Sequence, residues 1–435
     1  MNEPSQLVEH FFRHQYGRLV AMLTRSFGVR NLQIIEDSAQ TAMSKALVHW
    51  SKSGIPKEPN AWLFRTASNV LVDRLRRQKW ETPVDVERID SIDLASSHHS
   101  EYGCSDEVGD EPLRLLFLCC HSTIPVESRI AFALKTIGGF GTSEIASALL
   151  ISNANAEKRI TRAKEKLREL GEEIALLDSR IIEDRIDAVR STIYLLFNEG
   201  FSASSGRENL RRDVCDEAIR LARMLLRFCK FEHATTSALL ALMLLHSSRF
   251  DSRVDTQGAI VLLEDQDRSK WNWHAIREAM DCMMIATQDT VLSRYHVESA
   301  IAWEHCRVPS FEETNWEKIV EYYHVLDREF PGPMVSLNAA ISLGYRDGPE
   351  VGLSALTAIT SEARSKLRPW WDCAMADAFR RMGKTAEAIA HWHDARTLAS
   401  NSQQQELIDR RMKASKGSDP TVFGTQFEAF DLFEF

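Results

Sequence analysis

Hydrophobic residues recur every three or four positions along most of this chain, which is the spacing of amphipathic α-helices. The first block, residues 7–78, contains three such runs. Gly28 ends the first run, a Ser-Gly-Pro loop at 51–59 precedes the third, and Asn60 is placed to cap it. From about residue 180 to 412 the same spacing predicts one helix after another. We therefore expect an all-α fold of several domains, since 435 residues exceed one compact domain.

Residues 139–167 show a second pattern, in which two short helices are separated by a turn. Thr142 is placed to cap the first helix, and Ser152 and Asn153 are placed to cap the second. A short helix pair with a basic second member is what docking in the DNA major groove requires. A solvated pair in any helical protein gives the same pattern, so this segment alone leaves both interpretations open. In the second helix we expect Ala156, Ile160, Ala163 and Leu167 to be buried, and Lys158, Arg159, Arg162 and Lys166 to point outward.

The third helix of the first block combines aromatic and cationic side chains. Trp62 and Phe64 lie beside Arg65 and ahead of an arginine cluster at 74–77. Aromatic rings can stack on unpaired bases while guanidinium groups hold phosphates. The alternative is a core tryptophan and a solvated helix end, where the helix dipole favours cations. A second basic element downstream favours the nucleic-acid interpretation.

The net charge of −9 is unevenly distributed along the chain. Residues 1–80 carry about six net positive charges and residues 113–170 about four, whereas residues 81–112 carry about nine net negative charges. An acidic chain usually argues against nucleic-acid binding. Here two basic segments flank an acidic one, so the overall value does not exclude it.

No pattern in the sequence predicts a catalytic centre, a metal site or a cofactor. The cysteines lack the spacing of a zinc site and are expected to be buried as small hydrophobic residues. Glu264, Asp265 and Asp267 lie near Arg268 and Lys270, where local ion pairs and helix capping explain them. No run reaches the length of a membrane span and no secretion signal is present, so a cytoplasmic location without membrane contact is expected.

The C-terminal part shows weak internal repetition. Residues 374–401 predict two small-residue helices that meet at Gly383, and residues 334–357 predict a looser copy. Stacked helical pairs form a surface that binds a partner or another domain of the same chain. The tail at 413–435 mixes acidic and aromatic residues and is expected to be flexible, with docking as a further use.

Residues 7–170 resemble the extracytoplasmic-function sigma factors of bacterial RNA polymerase, which contain only sigma regions 2 and 4. Three stretches carry this resemblance in the expected order, and together they are specific. They are Glu36-Asp37-Ser38-Ala39-Gln40, Pro59-Asn60-Ala61-Trp62-Leu63 with the polar residues that follow it, and Gly139 through Leu167. Residues 197–206 and 262–271 resemble the sigma subgroup that has a long tetratricopeptide-like C-terminal extension.

The resemblance implies an alternative sigma factor that binds core RNA polymerase and directs initiation at specific promoters. It assigns roles to three sets of residues. Core polymerase is expected to contact Glu36, Asp37 and Gln40. Opening and reading of the −10 element is expected from Asn60, Trp62, Arg65, Asn69, Arg74, Arg76 and Arg77. Reading of the −35 element is expected from Asn155, Lys158, Arg159 and Arg162, with Arg162 on phosphate.

The chain departs from the family pattern at two positions. Thr41 stands where the family usually has a glutamate, which puts one polymerase contact in doubt. Glu157 lies on the reading helix, where a neutral or basic residue is commoner, so the promoter preference is expected to differ. The linker at 80–112 has about ten carboxylates and one arginine, which suits a path through the positive polymerase cleft, although a plain tether would look the same.

The domain boundaries that we expect are region 2 at 7–79, the acidic linker at 80–112, region 4 at 113–170, the helical extension at 180–412 and the tail at 413–435. Two roles for the extension remain open: it senses a protein or ligand partner, or it packs on the sigma regions as an inhibitor or a support. The alternative for the whole chain is a helical-repeat scaffold that binds DNA and never contacts polymerase. The presence of region 2 distinguishes the sigma factor from the scaffold, because a plain DNA-binding regulator needs no polymerase-docking helix.

Overall fold

The computed structural model describes residues 3–81, 111–149, 151–171, 179–201, 210–228, 233–255, 260–288, 291–399 and 402–416. Over these ranges the chain is almost entirely helical and contains no β-strand, only an isolated antiparallel bridge between Val254 and Ile260. The all-α fold expected from the sequence is therefore confirmed. The chain divides into two compact units, Met1–Thr192 and Ile193–Phe435.

The first unit contains seven helices and the first half of an eighth among its described residues. They are α1 (Glu3–Phe27), α2 (Leu32–Ser53), α3 (Pro59–Glu81), α4 (Glu111–Cys119), α5 (Val126–Phe132), α6 (Thr142–Ala148), α7 (Asn153–Leu170) and α8 (Ser179–Phe201). A π-helical turn, Ala133–Ile137, continues directly from α5. The acidic linker of the sequence analysis lies almost wholly outside the described residues.

Helices α1, α2 and α3 form the first helical layer of this unit. α2 packs against both α1 and α3, and the shared core includes Leu23, Ile35, Leu63 and Leu71, all of them buried. α3 begins with Pro59, whose missing N–H costs nothing at the first helical position. Asn60 therefore lies inside the first turn and does not cap the helix, contrary to the expectation from the sequence.

Helices α5, α6 and α7 form the second layer, and the expected helix-turn-helix is present there. The Oγ atom of Ser152 accepts a hydrogen bond from the backbone N of Asn155 at 3.2 Å, so Ser152 caps α7 as predicted, whereas Asn153, the other predicted cap, is the first residue of the helix. The cap of α6 differs from the prediction, because Gly141 precedes the helix and its N–H donates to the Glu144 carboxylate at 2.6 Å. The four residues predicted to be buried in α7 are buried, namely Ala156, Ile160, Ala163 and Leu167.

The two layers pack on each other within the first unit. Helix α1 contacts α4 and the π-helical turn, and α7 contacts the short 3-10 turn at Val29–Asn31. Helix α8 contributes its first half to the same unit: Arg185 Nη1 donates to the carbonyl of Phe117 at 3.3 Å, and the Thr192 hydroxyl lies 3.5 Å from the Cys120 sulfur. The boundary between the units therefore falls inside α8, beyond the predicted end of region 4 at residue 170.

The second unit continues α8 and adds a long series of helices. They are α9 (Arg212–Phe228), α10 (His233–Ser247), α11 (Phe250–Arg253), α12 (Trp273–Ala286), α13 (Arg294–Cys306), α14 (Trp316–Glu329), α15 (Pro333–Asp347), α16 (Pro349–Ala358), α17 (Ser361–Leu367), α18 (Trp370–Arg381), α19 (Thr385–Leu398) and α20 (Ser402–Lys416). Helix α10 is apolar on all sides and is buried between α9, α12 and α13.

The predicted helix pairs of the C-terminal part are present as helices. α18 and α19 pack on each other across a turn at Gly383, where φ is +73°, and α15 and α16 do so across Gly348, where φ is +105°. Their shared core includes Leu356, Trp370 and Trp392. The tail expected at 413–435 lies outside the described residues after Lys416.

The acidic cluster at 264–267 is stabilised by contacts within the second unit. Asp267 accepts hydrogen bonds from the Ser269 hydroxyl at 2.6 Å and from the backbone N of Ser269 at 3.0 Å, as local capping predicts, and these bonds lower the pKa of Asp267. Glu264 also pairs with Arg411 of α20, a distant partner that the local sequence did not predict. Among the described helices, none is long and apolar enough to cross a membrane.

Candidate nucleic-acid and polymerase interface

One face of α3 collects four of the residues predicted to act on the −10 element. Trp62, Arg65, Asn69 and Arg76 follow one another at intervals of three, four and seven residues, which places them on one side of the helix. The buried residues of α3 that face α2, such as Leu63, lie on the opposite side. Arg65, Asn69 and Arg76 are exposed, and Trp62 is half-buried. This face can meet a nucleic acid while the other side of α3 stays packed.

Trp62 is held in place by two rings from the end of α2. It stacks on His49 with ring centroids 5.7 Å apart and planes 8° apart, and it meets Trp50 edge-on at 5.6 Å. Such pairs stabilise a defined ring orientation. The sequence left two interpretations of Trp62, a core anchor and a base-stacking ring. Its half-exposed position between α2 and the polar face is compatible with both.

Arg74 lies apart from the polar face. Its Nη2 donates to the Thr41 hydroxyl at 3.2 Å, and its Nη1 lies 3.8 Å from the Asp37 carboxylate. Thr41 thus replaces the usual family glutamate with a hydroxyl that accepts from Arg74. Asn60 and Arg77 are exposed, but neither belongs to the stripe that runs from Trp62 to Arg76.

The predicted −35 residues lie in the first half of α7. Asn155, Lys158 and Arg162 are exposed and Arg159 is half-buried. Among the described residues none of these cations forms an ion pair, whereas Lys164 and Lys166 of the same helix do. The amino-terminal half of α7 therefore presents unneutralised positive charge, which suits a polyanion.

The predicted polymerase-binding residues of α2 differ from one another in accessibility. The side chain of Glu36 is only 2 % exposed, whereas that of Asp37 is 49 % exposed and Gln40 is also exposed. Glu36 Oε2 forms an ion pair with Lys164 Nζ of α7, and Glu36 Oε1 accepts a hydrogen bond from the Thr136 hydroxyl at 2.7 Å. One of the three residues is thus buried against the helix-turn-helix layer.

Sequence reasoning missed three residues of this cluster. Lys164 and Thr136 bind Glu36 from the second layer, and Tyr16 of α1 lies beside it. Burial raises the pKa of the Tyr16 hydroxyl well above its ordinary value, and the negative charge of Glu36 raises it further. The available signal was weak: Lys164 directly follows a buried residue of α7, and Thr136 lies in an apolar run.

Comparison with known proteins agrees with this arrangement. Residues 12–81 match the family model for sigma-70 region 2, residues 114–167 match that for sigma-70 region 4, and residues 185–287 match a family of unknown function, DUF6596. An uncharacterised protein of Rhizobium meliloti (strain 1021) is 36 % identical over 394 residues, which cover 90 % of this chain and 92 % of that protein. No solved structure matches the chain.

A further relative has a described function. The ECF RNA polymerase sigma factor SigW of Bacillus subtilis (strain 168) is 28 % identical over 145 residues, which cover 32 % of this chain and 75 % of that protein. The chain belongs to the extracytoplasmic-function group of the sigma-70 family. It is a sigma factor for transcription initiation, and its two sigma regions support core RNA polymerase and promoter DNA as its partners.

Proposed function

We propose that this sigma factor recognises promoters through two helices of its first unit, α3 and α7. Region 2 melts and reads the −10 element with the α3 face from Trp62 to Arg76, assisted by Asn60 and Arg77. Region 4 reads the −35 element with Asn155, Lys158 and Arg159, while Arg162 holds phosphate. The observation that carries this proposal is the first half of α7, a capped helix whose exposed cations have no ion-pair partner among the described residues.

Docking on core polymerase is proposed for Glu36, Asp37 and Gln40 of α2. Asp37 and Gln40 are exposed, so they can form the first contact. Arg74, which was predicted to act on the −10 element, has a competing role, because it pairs with Asp37. We infer that Arg74 orients the docking carboxylate rather than reading DNA.

We propose the domain boundaries that the sequence predicts, with one structural addition to region 4 from helix α8. Region 2 spans 7–79, the acidic linker 80–112 and region 4 113–170, and the linker occupies the positive polymerase cleft. The helical extension spans 180–412 and the tail 413–435. The first half of α8 packs on α4, so it supports region 4 structurally although it lies in the extension.

The extension is proposed to control when the sigma regions engage. The helix pairs α15–α16 and α18–α19 support a tetratricopeptide-like stack, whose surface would bind a protein or ligand partner. The protein is proposed to work by binding rather than catalysis, in the cytoplasm where the polymerase acts. The competing idea, that the extension inhibits or supports the sigma regions directly, makes a different prediction when the extension is released.

Release of the extension from the folded protein separates these roles. A protease site inserted between α8 and α9 keeps the contacts of Arg185 with Phe117 and of Thr192 with Cys120, which truncation at residue 170 would remove. Because the second half of α8 packs on the second unit, for example through Tyr194 and Glu298, the two fragments are separated chromatographically after cleavage and the N-terminal fragment is assayed. Inhibition predicts more run-off transcript after cleavage, and a required support predicts less. A mock-cleaved protein without the site is the control. Unchanged transcription would contradict any direct effect of the extension.

Promoter contacts are tested by footprinting full-length protein with core polymerase on a selected promoter. The proposal expects α3 variants such as Arg76→Ala to reduce protection around −10, and α7 variants such as Arg159→Ala to reduce it around −35. Loss at both elements from either variant would contradict the assignment of one element to each helix.

A further inference from the structure

We propose that regions 2 and 4 of this protein close on each other in the free state, so that region 4 occupies the docking carboxylate Glu36 and competes with core polymerase for it. The inference rests on the proposed role of Glu36 in polymerase binding. Three contacts, at Glu36, at Gly17 and at the rim of the interface, carry it.

The first contact satisfies both oxygens of a buried carboxylate. Lys164 Nζ binds Glu36 Oε2 and also donates to Gln33 Oε1 at 2.8 Å, and Thr136 donates to Glu36 Oε1 at 2.7 Å. The Lys164 side chain is only 15 % exposed. A buried charge is tolerated only when it is paired and hydrogen-bonded, so removing region 4 would leave Glu36 in need of another cation or water. A basic partner on the polymerase would meet that need.

The second contact is a close approach of two backbones. Gly17 lies in the interior of α1, where a glycine is otherwise unfavourable. A Cβ atom at this position would lie 1.9 Å from the Ile137 carbonyl oxygen in the π-helical turn. No larger residue fits while the two layers are closed. Gly17 is therefore explained by the closed arrangement and not by the fold of region 2 alone.

The third set of contacts lies at the edge of the interface. Arg25 of α1 pairs with the buried Glu111 at the start of α4. At the opposite end of region 4, the Arg30 guanidinium lies against Gly171, which ends α7. These contacts flank the Glu36 cluster, so the interface extends along α1 from Gly17 to Arg25 and reaches the start of α2.

In the closed arrangement, helices α3 and α7 lie too close together to contact both promoter elements at once. The −10 and −35 elements lie about 25 base pairs apart, or about 85 Å along the duplex at about 3.4 Å per pair. Helices α3 and α7 have 23 and 18 residues. They are therefore about 35 and 27 Å long, and the Glu36–Lys164 contact holds them in one unit. The roughly 30 residues of 82–110 can span about 100 Å when extended, so chain length permits the separation that promoter reading requires.

Gly17→Ala tests the closure without touching any proposed binding residue. Alanine is a better helix former, so region 2 is expected to fold, but the new methyl group clashes with Ile137 when region 4 closes. We expect the full-length variant to bind core polymerase on the order of tenfold more tightly than wild type, because more of it is open. Gly332→Ala is the matched control, since a Cβ there meets nothing within 4 Å.

The closed state is read independently by chemical labelling of lysines and mass spectrometry. In wild type we expect Lys164 to react several-fold more slowly than the exposed Lys158, and in Gly17→Ala the two rates should converge. Equal rates in wild type would overturn the proposal, because the contact would then be absent in solution. Convergence without tighter polymerase binding would also overturn it, because region 4 would then not compete with polymerase.

Lys164→Gln provides a second route if Gly17→Ala folds poorly. It removes the cation from Glu36, and Lys166→Gln is its control because Lys166 pairs with Glu169 of the same helix. Tighter binding by Lys164→Gln alone supports competition, and equal binding by both overturns it. If wild type and every variant fail to bind core polymerase while Lys164 stays protected, the proposed docking function fails and the closed contact stands by itself.

Discussion

Helices α3 and α7 are both basic and both assigned to DNA, yet they divide their surfaces in different ways. α3 divides its surface around its circumference: Trp62, Arg65 and Arg76 occupy one side, and the opposite side packs on α2 over most of its length. α7 divides its surface along its length as well. Its first half is exposed and cationic, whereas Lys164 in its second half is bound to Glu36.

This difference has a consequence for the order of events. Region 2 can meet DNA while α3 keeps all its packing on α2. Under the proposed closure, region 4 gives up the contacts of Lys164 before the first half of α7 reaches a promoter element far from region 2. Opening is therefore expected to involve the separation of region 4, with region 2 unchanged internally.

The largest effect is expected from Trp62→Ala, which removes a ring from the α3 face. Base–aromatic stacking is worth about 1–3 kcal/mol, so promoter opening should fall about 5- to 150-fold. Permanganate reactivity of unpaired thymines around −10 measures it. Trp62→Phe, which keeps a stacking ring, should retain most of the activity.

A core role for Trp62 gives a different pattern. Truncation would then lower the melting temperature and would impair transcription equally on closed and pre-opened templates. The stacking role instead predicts substantial recovery on a template with mismatches at −10. Absence of recovery there would favour the packing of Trp62 against His49 and Trp50 as its main function.

Arg159→Ala and Arg162→Ala sharpen the description of the exposed half of α7. Arg159→Ala should cost about 1–3 kcal/mol at the preferred −35 sequence and relax specificity there, if it reads a guanine. Arg162→Ala should weaken binding to all sequences alike and reduce the salt slope by about one. Binding titrations over a panel of −35 sequences and salt concentrations measure both. An equal loss at every sequence for both variants would contradict the division of roles.

The smallest effect is expected from Arg74→Ala, on the packed side of α3. Arg74 and Asp37 are 38 % and 49 % exposed, and pairs of that exposure contribute about 0–1 kcal/mol. We expect less than a fivefold change in core polymerase binding and an unchanged salt slope for DNA. The matched variant Arg76→Ala should lower DNA affinity and the salt slope. A DNA defect for Arg74→Ala as large as that of Arg76→Ala would place Arg74 on the DNA-reading surface.

Local patterns in the sequence predicted the helices and their buried sides well. The cap by Ser152 and the burial of Ala156 and Ile160 follow from residues within a few positions of each other. The family motifs supplied the sigma regions, because their order and separation are specific.

The contacts that close the first unit could not be predicted in this way. Glu36 meets Lys164, 128 positions further along the chain, and the reason for Gly17 becomes visible only beside Ile137. The pairing of Glu264 with Arg411 in the second unit, across 147 positions, is a similar case. Periodicity identifies which side of a helix is buried, but it does not identify what covers that side.

We propose that this chain gives core RNA polymerase a new promoter specificity. Run-off transcription by purified core polymerase on a library of promoter fragments, with and without the full-length protein, tests this. We expect protein-dependent transcripts that share a −10 and a −35 sequence and that decrease with Trp62→Ala and Arg159→Ala. DNA binding by the protein without any polymerase-dependent transcript, for wild type and for Gly17→Ala alike, would show that the chain is a DNA-binding helical scaffold instead.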